Sequence, residues 1–473
     1  NAARTTNLEG PIDPVSVDHL ELLRGVLDPV YGALAQPGGA LHRVGRMPLL
    51  EPRRAVTFAG DAEGRARGTF DLSDGIGRSR TTYRIGAAID RLRDARSGGT
   101  TGSGWALAPV LAWPINDFTQ LTVRLDHAQR PRRDDPGLPL DARVFDGPRD
   151  PWFGDADGPQ VRTAASAAAL EFTFDPEGEI RLRQRVSFDR DLREGADTRL
   201  LGTTPDGHVL RDRHTLERRT RGFDVQSEAV LAFLTGSVLH QGVVSVEFTG
   251  SQRDGATSDG LVEWVPLVGR ATTDSTIGHV PARAWQVTSR TAAIHLADQV
   301  TLGTHMRASL GVRLARETRT LGPTSTTTGT SVTGVSPRLG LVLLTSATSR
   351  VHAAWSAGVR PNERSLAWGD APAPERARTR LLELGWHQEL RNGRFGWSAT
   401  LYDLVDRDAV LRDPDPGMAA ETTLGHVHLN VADLADPPKL SAAPKREMRV
   451  WTAEELRTFL TEIEGHRLHP AFF

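Results

Sequence analysis

Residues 105–113 read Trp-Ala-Leu-Ala-Pro-Val-Leu-Ala-Trp. In a strand, successive side chains point to opposite faces, so Trp105, Leu107, Pro109, Leu111 and Trp113 share one face. Eight residues at a rise of about 3.3 Å separate the two indoles by roughly 26 Å. That matches the apolar band of roughly 25 Å between the two aromatic girdles of a transmembrane β-barrel. A soluble sandwich could also use the segment, with both tryptophans in its core. The neighbouring sequence has to decide between the two.

The period of two persists over most of residues 65–412. Tyr83, Ile85, Ala87 and Ile89 alternate with Arg84, Gly86, Ala88 and Asp90. Leu121, Val123 and Leu125 oppose Thr122, Arg124 and Asp126. Ile180, Leu182, Val186 and Phe188 oppose Arg181, Arg183 and Arg185. Met306, Ala308, Leu310, Val312 and Leu314 oppose Arg307, Ser309, Gly311 and Arg313. These runs reach the 9–11 residues or so that a tilted bilayer crossing requires. Short turns such as Asp175–Gly178 and Leu390–Gly393 alternate with polar stretches at 129–160, 189–221 and 250–283, read here as long loops. Soluble domains rarely carry several loops beyond about 12–15 residues, whereas barrels pair short turns at one end with long loops at the other. The pattern favours a mainly β protein built as a transmembrane barrel of antiparallel strands.

Composition is compatible with that fold. The chain has 473 residues, 57 Lys+Arg against 59 Asp+Glu, and no Cys. A formal charge of -2 argues against a whole-chain electrostatic attraction to nucleic acid. The absence of Cys excludes disulfides, thiolate metal sites and a cysteine nucleophile. No apolar run is long enough for a transmembrane helix. A mean hydropathy of -0.34 is no obstacle, because barrel strands average polar and apolar residues.

Residues 18–48, DHLELLRGVLDPVYGALAQPGGALHRVGRMP, resemble the end of the plug domain of TonB-dependent outer-membrane receptors. Glu21, Leu23, Arg24, Gly25, Tyr31, Gly32, Gly38, Gly39, Arg46 and Pro48 carry the match without a gap. Val26 stands where the family usually has Pro, so this copy is divergent. Leu296–Gly303, Gly334–Leu341, Ala357–Asn362 and Glu383–Asp408 are similar to successive strands of the siderophore-receptor subgroup, in family order. The resemblance covers about residues 10–417. It implies a plug remnant at 1–52 and a receptor barrel at 53–417. It further implies the Gram-negative outer membrane as location, and lipid, a ferric siderophore and the TonB system as partners. The family's barrel has roughly 22 strands around a plugged lumen; this stretch offers about 14, judged by the strand signature. The signal peptide, the TonB-contacting box and the last strands expected from the family are not found. The expectation is therefore a truncated copy with open barrel edges, incapable of energised transport by itself.

The end of the chain reads differently. All basic residues before position 439 are Arg, and the two lysines are Lys439 and Lys445. Thr452 and Glu455 form a capping box, and Leu456, Phe459, Leu460 and Ile463 fall on one helical face. A helix is predicted from near Ala453 to near Gly465. Residues 429–473 resemble the segment joining the two domains of tyrosine recombinases (phage-type integrases), carried by Asn430, Ala432, Pro437, Pro438, Glu447, Met448, Trp451, Thr452, Leu456 and Phe459. Residues 418–473 are accordingly read as an integrase-like linker and helix. The alternative function that follows is a DNA-binding integrase fragment carrying a passenger β-domain.

No catalytic or metal-binding constellation emerges. Asp155 and Asp157 lack the other ligands of a calcium loop. His426 and His428 have no companions at ligand spacing, and no Ser sits in a nucleophile elbow. The chain is read as a non-enzyme with no resident cofactor, its ferric siderophore being cargo. Arginines on strand faces line a polar lumen and could pair with an anionic chelate. Trp152, Phe153, Trp264 and Trp368 are the aromatic candidates for contacting such a ligand, as loop aromatics do in the family. Arg24, Gly25, Tyr31, Gly32, Gly38 and Gly39 are structural plug positions.

Overall fold

The computed structural model describes residues 13–24 and 39–434, except 63, 78, 95–98, 133–135, 140, 142, 145–151, 155–160, 177, 259–260, 268–281, 323–327, 362–375, 391–394 and 413–420. A 3-10 turn, Pro14–Ser16, leads into a two-stranded antiparallel sheet of β1 (Val17–Arg24) and β2 (Gly39–Gly45). Then follow β3 (Arg53–Gly60), β4 (Ala66–Gly75), β5 (Thr82–Asp94), β6 (Gly99–Pro114), β7 (Thr119–Arg132), β8 (Val161–Phe174), β9 (Ile180–Thr203) and β10 (His208–Thr235). The second half comprises β11 (Val238–Ser258), β12 (Leu261–Pro266), β13 (Ala282–Leu302), β14 (Met306–Gly322), β15 (Thr328–Ser346), β16 (Ser349–Pro361), β17 (Arg376–Leu390), β18 (Phe395–Arg412) and β19 (Glu421–Leu434).

Strands β3 to β19 form one closed barrel in which β19 neighbours β3. β12 pairs with β10 over Arg213↔Leu261 to His208↔Pro266, directly beyond the β10–β11 ladder that ends at Leu216↔Thr257. It therefore continues β11 past an irregularity, and the two act as one stave. Closure overturns the expectation of open edges. The stave that completes the wall is β19, whose residues the sequence reading had placed in the integrase-like tail. Its ladder on β18 runs from Arg412↔Glu421 to Ala399↔Leu434. The boundary expected at 417 therefore falls within the barrel, between β18 and its partner. The helix expected near Ala453–Gly465 lies outside the described residues.

The faces of the wall settle which solvent each side sees. Trp105 and Trp113 are 43% and 50% exposed on the outside, with Leu107 between them. Ala106, Ala108, Val110 and Ala112, the alternate residues, are buried inside. On β5, Ile89 is exposed whereas Arg84, Ala88 and Asp90 are buried. Apolar side chains out and charges in is the inverse of a soluble sandwich. No helix among the described residues is long and apolar enough to cross a membrane, so any crossing is made by strands.

Connections alternate as well. One end carries the short turns at 115–118, 175–179, 236–237, 303–305 and 347–348. The other carries the long connections at 133–160, 267–281 and 362–375. Two of the loops expected from sequence are instead strand. Residues 189–203 and 208–221 extend the β9–β10 hairpin, and 250–258 and 261–266 extend β11 and β12. Beyond the apolar band both faces are polar, so alternation fades while the backbone ladder continues.

Candidate functional site

The interior holds the first strands of the chain against β4 to β7. Asp13 caps the 3-10 turn by accepting from Val15 N at 2.9 Å. Its carboxylate is almost wholly buried and also accepts from Arg67 Nη2 (β4) and Arg130 Nη2 (β7), both at 2.7 Å. Arg67 Nη1 reaches Asp90 of β5 at 2.7 and 2.8 Å. Two carboxylates and two guanidiniums thus cross-link the plug segment to three staves. Burial alone would raise the Asp13 carboxyl, but bonds from Arg67 and the Val15 amide, with the charges of Arg67 and Arg130, hold it below the ordinary carboxylate range.

The fit is also steric. Gly86 of β5 faces the lumen, and a Cβ there would lie 2.8 Å from the Val15 carbonyl oxygen. Val15 packs on Ala88, Ala106 and Ala128, a small apolar seat among charges.

The segment leaving the plug is pinned a second time. Arg84 (β5) bonds Asp71 (β4) bidentately at 2.9 and 2.8 Å and donates to the Met47 carbonyl at 3.0 Å. Arg46 and Arg53 also reach Asp71, at 3.3 and 2.9 Å. Leu49 N donates to Ser73 Oγ at 2.9 Å. Three arginines around one carboxylate leave local positive charge in the lumen. The far wall is polar too, with Glu247, Arg313, Glu317, Ser336, Ser356 and Thr379 buried on its inner face.

At the end with long connections, β9, β10 and β12 rise into a small apolar knot. Val144, Phe153, Val209, Val265 and Leu267 pack there with Leu200. Arg211, fully buried, donates to the Phe153 and Gly154 carbonyls at 2.8 and 3.0 Å. Arg143 ties the same connection to the β9–β10 turn through the Thr204 and Pro205 carbonyls.

This arrangement sorts the aromatic candidates. Phe153 (1% exposed) packs in the knot and Trp152 (6%) is also buried, so neither ring is presented at an open surface. Trp264 is 58% exposed and pairs with Leu210. By alternation along β10 it shares the face that lower down carries Thr220, Asp224, Gln226 and Glu228, the lumenal one. Trp368 lies outside the described residues, as do Gly25, Tyr31, Gly32 and Gly38. Arg24 and Gly39 are partners at the end of the β1–β2 ladder. Sequence reading missed Asp13, Arg67 and Arg130. The one available signal was Asp13 before Pro14, a helix-start pattern.

A closed barrel with apolar outside, charged lumen and an inserted N-terminal segment defines a plugged transmembrane barrel. Residues 111–434, well over half of the chain, match the family described as TonB dependent receptor-like, beta-barrel, and the chain belongs to that family. It is 23% identical over 282 residues to the ferrichrome outer membrane transporter/phage receptor of Escherichia coli K12, a match spanning 54% of this chain and 38% of that protein. The closed form of the ferric-catecholate import receptor Fiu of E. coli K12 superposes with a TM-score of 0.76 at 16% identity, over 88% of this chain and 66% of that one. The siderophore receptor PiuA of Acinetobacter baumannii gives 0.75 at 14%, over 88% and 65%. The chain thus spans 38% of the curated relative and about two-thirds of the solved ones. The family match continues through residue 434, so β19 is receptor barrel rather than the start of an integrase-like tail. None of these likenesses supports a DNA partner.

Proposed function

We propose that this chain works in the Gram-negative outer membrane as a TonB-dependent receptor barrel, and that its ligand is a ferric siderophore. The observation that carries the reading is the plug segment held by Asp13, Arg67, Asp90 and Arg130 inside a closed barrel whose apolar side chains face outward. Such a barrel needs lipid outside. A charged lumen blocked by a tethered segment suits a gated path rather than an open pore. The relatives named above are transporters or receptors for ferrichrome, a ferric catecholate and a siderophore, and the ligand class is carried over from them. Dependence on TonB comes with the family. Nothing in the reading requires catalysis or a resident cofactor.

The test is ligand binding by the full chain refolded in detergent, followed by tryptophan fluorescence. Ferrichrome and a ferric catecholate are the two probes. Saturable quenching by at least one is expected, with the iron-free chelators weaker. Trp264→Ala should weaken that binding by about 2- to 10-fold, the range of one aromatic contact. Absence of saturable binding of either ferric probe by a correctly inserted barrel would count against the reading.

A further inference from the structure

One seam of the barrel wall stops short of its own strands. β15 extends up to Thr328 and β16 up to Pro361, yet the ladder between them ends at Arg338↔Ser356. Each strand keeps its other partner beyond that point. β14 pairs with β15 as far as Leu321↔Thr328, and β17 pairs with β16 as far as Pro361↔Arg376. Continuing the lower register would set Gly334 opposite Arg360. Instead, a Cβ on Gly334 would lie 2.9 Å from the Val359 Cβ, so the two strands touch one residue out of step. Pro337 is the next residue above the last pair. It has no N–H to donate, and strands tolerate Pro at bulges and edges.

Side chains divide the wall at the same place. On the lumenal face Asp406 (β18) accepts from Arg360 (β16) at 2.7 Å and from Thr379 (β17) at 3.0 Å. On the outer face Arg380 (β17) donates to Asp403 (β18) at 3.2 Å. Arg316 (β14) donates to Ser331 (β15) at 3.4 Å. Among the described residues no side-chain hydrogen bond or ion pair joins 329–337 to 357–361. The upper ends of β16, β17 and β18 are therefore one riveted sector, and those of β14 and β15 another. The level matters too. Ser356 stands seven residues above Ser349, the first after a short turn, and Pro361 twelve. At about 3.3 Å per residue and a tilt near 40°, the stretch without a ladder spans roughly 18 to 30 Å of height, around the outer rim of an apolar band roughly 25 Å tall. Deeper in the band, unpaired backbone groups would find no water. At the rim, water and headgroups satisfy them.

We propose that the β15–β16 seam above Pro337 is a gate in the barrel wall. There the upper ends of β16–β18 swing away from β14–β15 and widen the outer mouth of the lumen to admit a ligand. The ladder below Pro337 is the hinge. The gate rests on the receptor reading given above, and adds to it a moving part of the wall rather than of the plug.

The experiment uses the full chain in lipid bilayers carrying paired spin labels, which the absence of native Cys allows. Val335→Cys/Arg378→Cys spans the seam above Pro337, since Arg378 is the β17 partner of Val359. Leu341→Cys/Leu384→Cys spans the same two strand spacings below it, through Ala353. Double electron–electron resonance should give one narrow distance for the lower pair. The upper pair should give two, the second longer by about 5 Å, one strand spacing. Pro337→Val, which restores the N–H, should remove the longer distance. A single narrow distance for both pairs overturns the gate, as does a longer distance that survives Pro337→Val. The link to ligand entry is read from Gly334→Cys/Val359→Cys, whose Cβ atoms need only a small shift to reach disulfide range. Oxidation should slow binding of the ferric catecholate about tenfold, with recovery on reduction. Equal binding rates in the two states overturn the gating role. If neither state binds the probe while the upper labels still show two distances, the siderophore reading fails and the moving seam stands.

Discussion

Asp13 joins the first described turn of the chain to the barrel wall, and its chemistry can be separated from its shape. Asp13→Asn keeps the oxygen that caps the turn, since Asn and Asp are equally good caps. It removes the charge that Arg67 and Arg130 share. Breaking a buried pair from one side costs about 3 kcal/mol or more. The expected result is faster amide exchange over residues 13–24 with barrel melting unchanged. The pH dependence has a definite sign. A carboxyl whose folded value is lowered contributes fully above its unfolded value of 3.8 and loses that contribution as pH falls through the folded value. Protection of residues 13–24 should therefore hold from neutral pH down to about 4 and fall only below the unfolded value. In Asp13→Asn this acid step should vanish. Gly86→Ala probes the same seat by volume, because its Cβ would meet a backbone carbonyl rather than a flexible tip. About 1–3 kcal/mol of overpacking should again loosen residues 13–24, read by the same exchange experiment. None of this was legible beforehand. Alternation shows that Arg84 and Asp90 face away from Ile85 and Ile89, but it names no partner 23 or 54 residues distant, as Arg67 has in Asp90 and Asp13.

At the level of elements, the strands were readable where the bilayer forces alternation and unreadable where it does not. Lipid on one side and charge on the other give Tyr83–Asp90 and Met306–Leu314 their period of two. Residues 189–203 and 208–221 see water or loop on both faces. Their sequence reads as loop although the backbone continues the ladder, with one register shift at Leu201, to Val209↔Thr203. The burial of 152–153 was illegible for a related reason: a polar segment rich in Arg, Asp and Pro gives no hint that Phe153 packs into a small core. Phe153→Ala should expose that core. A buried Phe lost to a cavity costs about 3–5 kcal/mol, which exceeds what a knot of six apolar residues tied by Arg211 and Arg143 can spare. The expected outcome is proteolytic cleavage within residues 136–160 and faster exchange at 200–213. Exchange at 223–231, deep in the wall, should not change. If both regions loosen together, the knot is part of the barrel's cooperative unit rather than a separate one.

For the whole molecule, the decisive feature is the contact between the first and last staves. A strand edge facing hydrocarbon leaves its N–H and C=O groups without partners, at several kcal/mol each. β3 has eight residues. In an antiparallel ladder alternate residues bond to each neighbour, so about half of them would be stranded if β19 were absent. That cost explains why residues 421–434 belong in the wall, within the stretch that matches the receptor barrel. A strand of fourteen residues needs only hydrogen-bonding backbone and tolerable faces, demands loose enough that residues 429–434 can be misread as the start of a linker although the family match runs through them. The absence of Cys makes the seam directly testable. Val56→Cys in β3, combined in turn with a single cysteine at each position from 421 to 434, gives a series in which any disulfide is engineered. A closed barrel should cross-link efficiently at one register and weakly at its immediate neighbours, and the product should migrate as a compact form in unheated gels. Cross-linking spread evenly along β19 would indicate a seam that slides. No cross-link at any position, in protein that still inserts, would mean that the wall closes elsewhere or through a second chain.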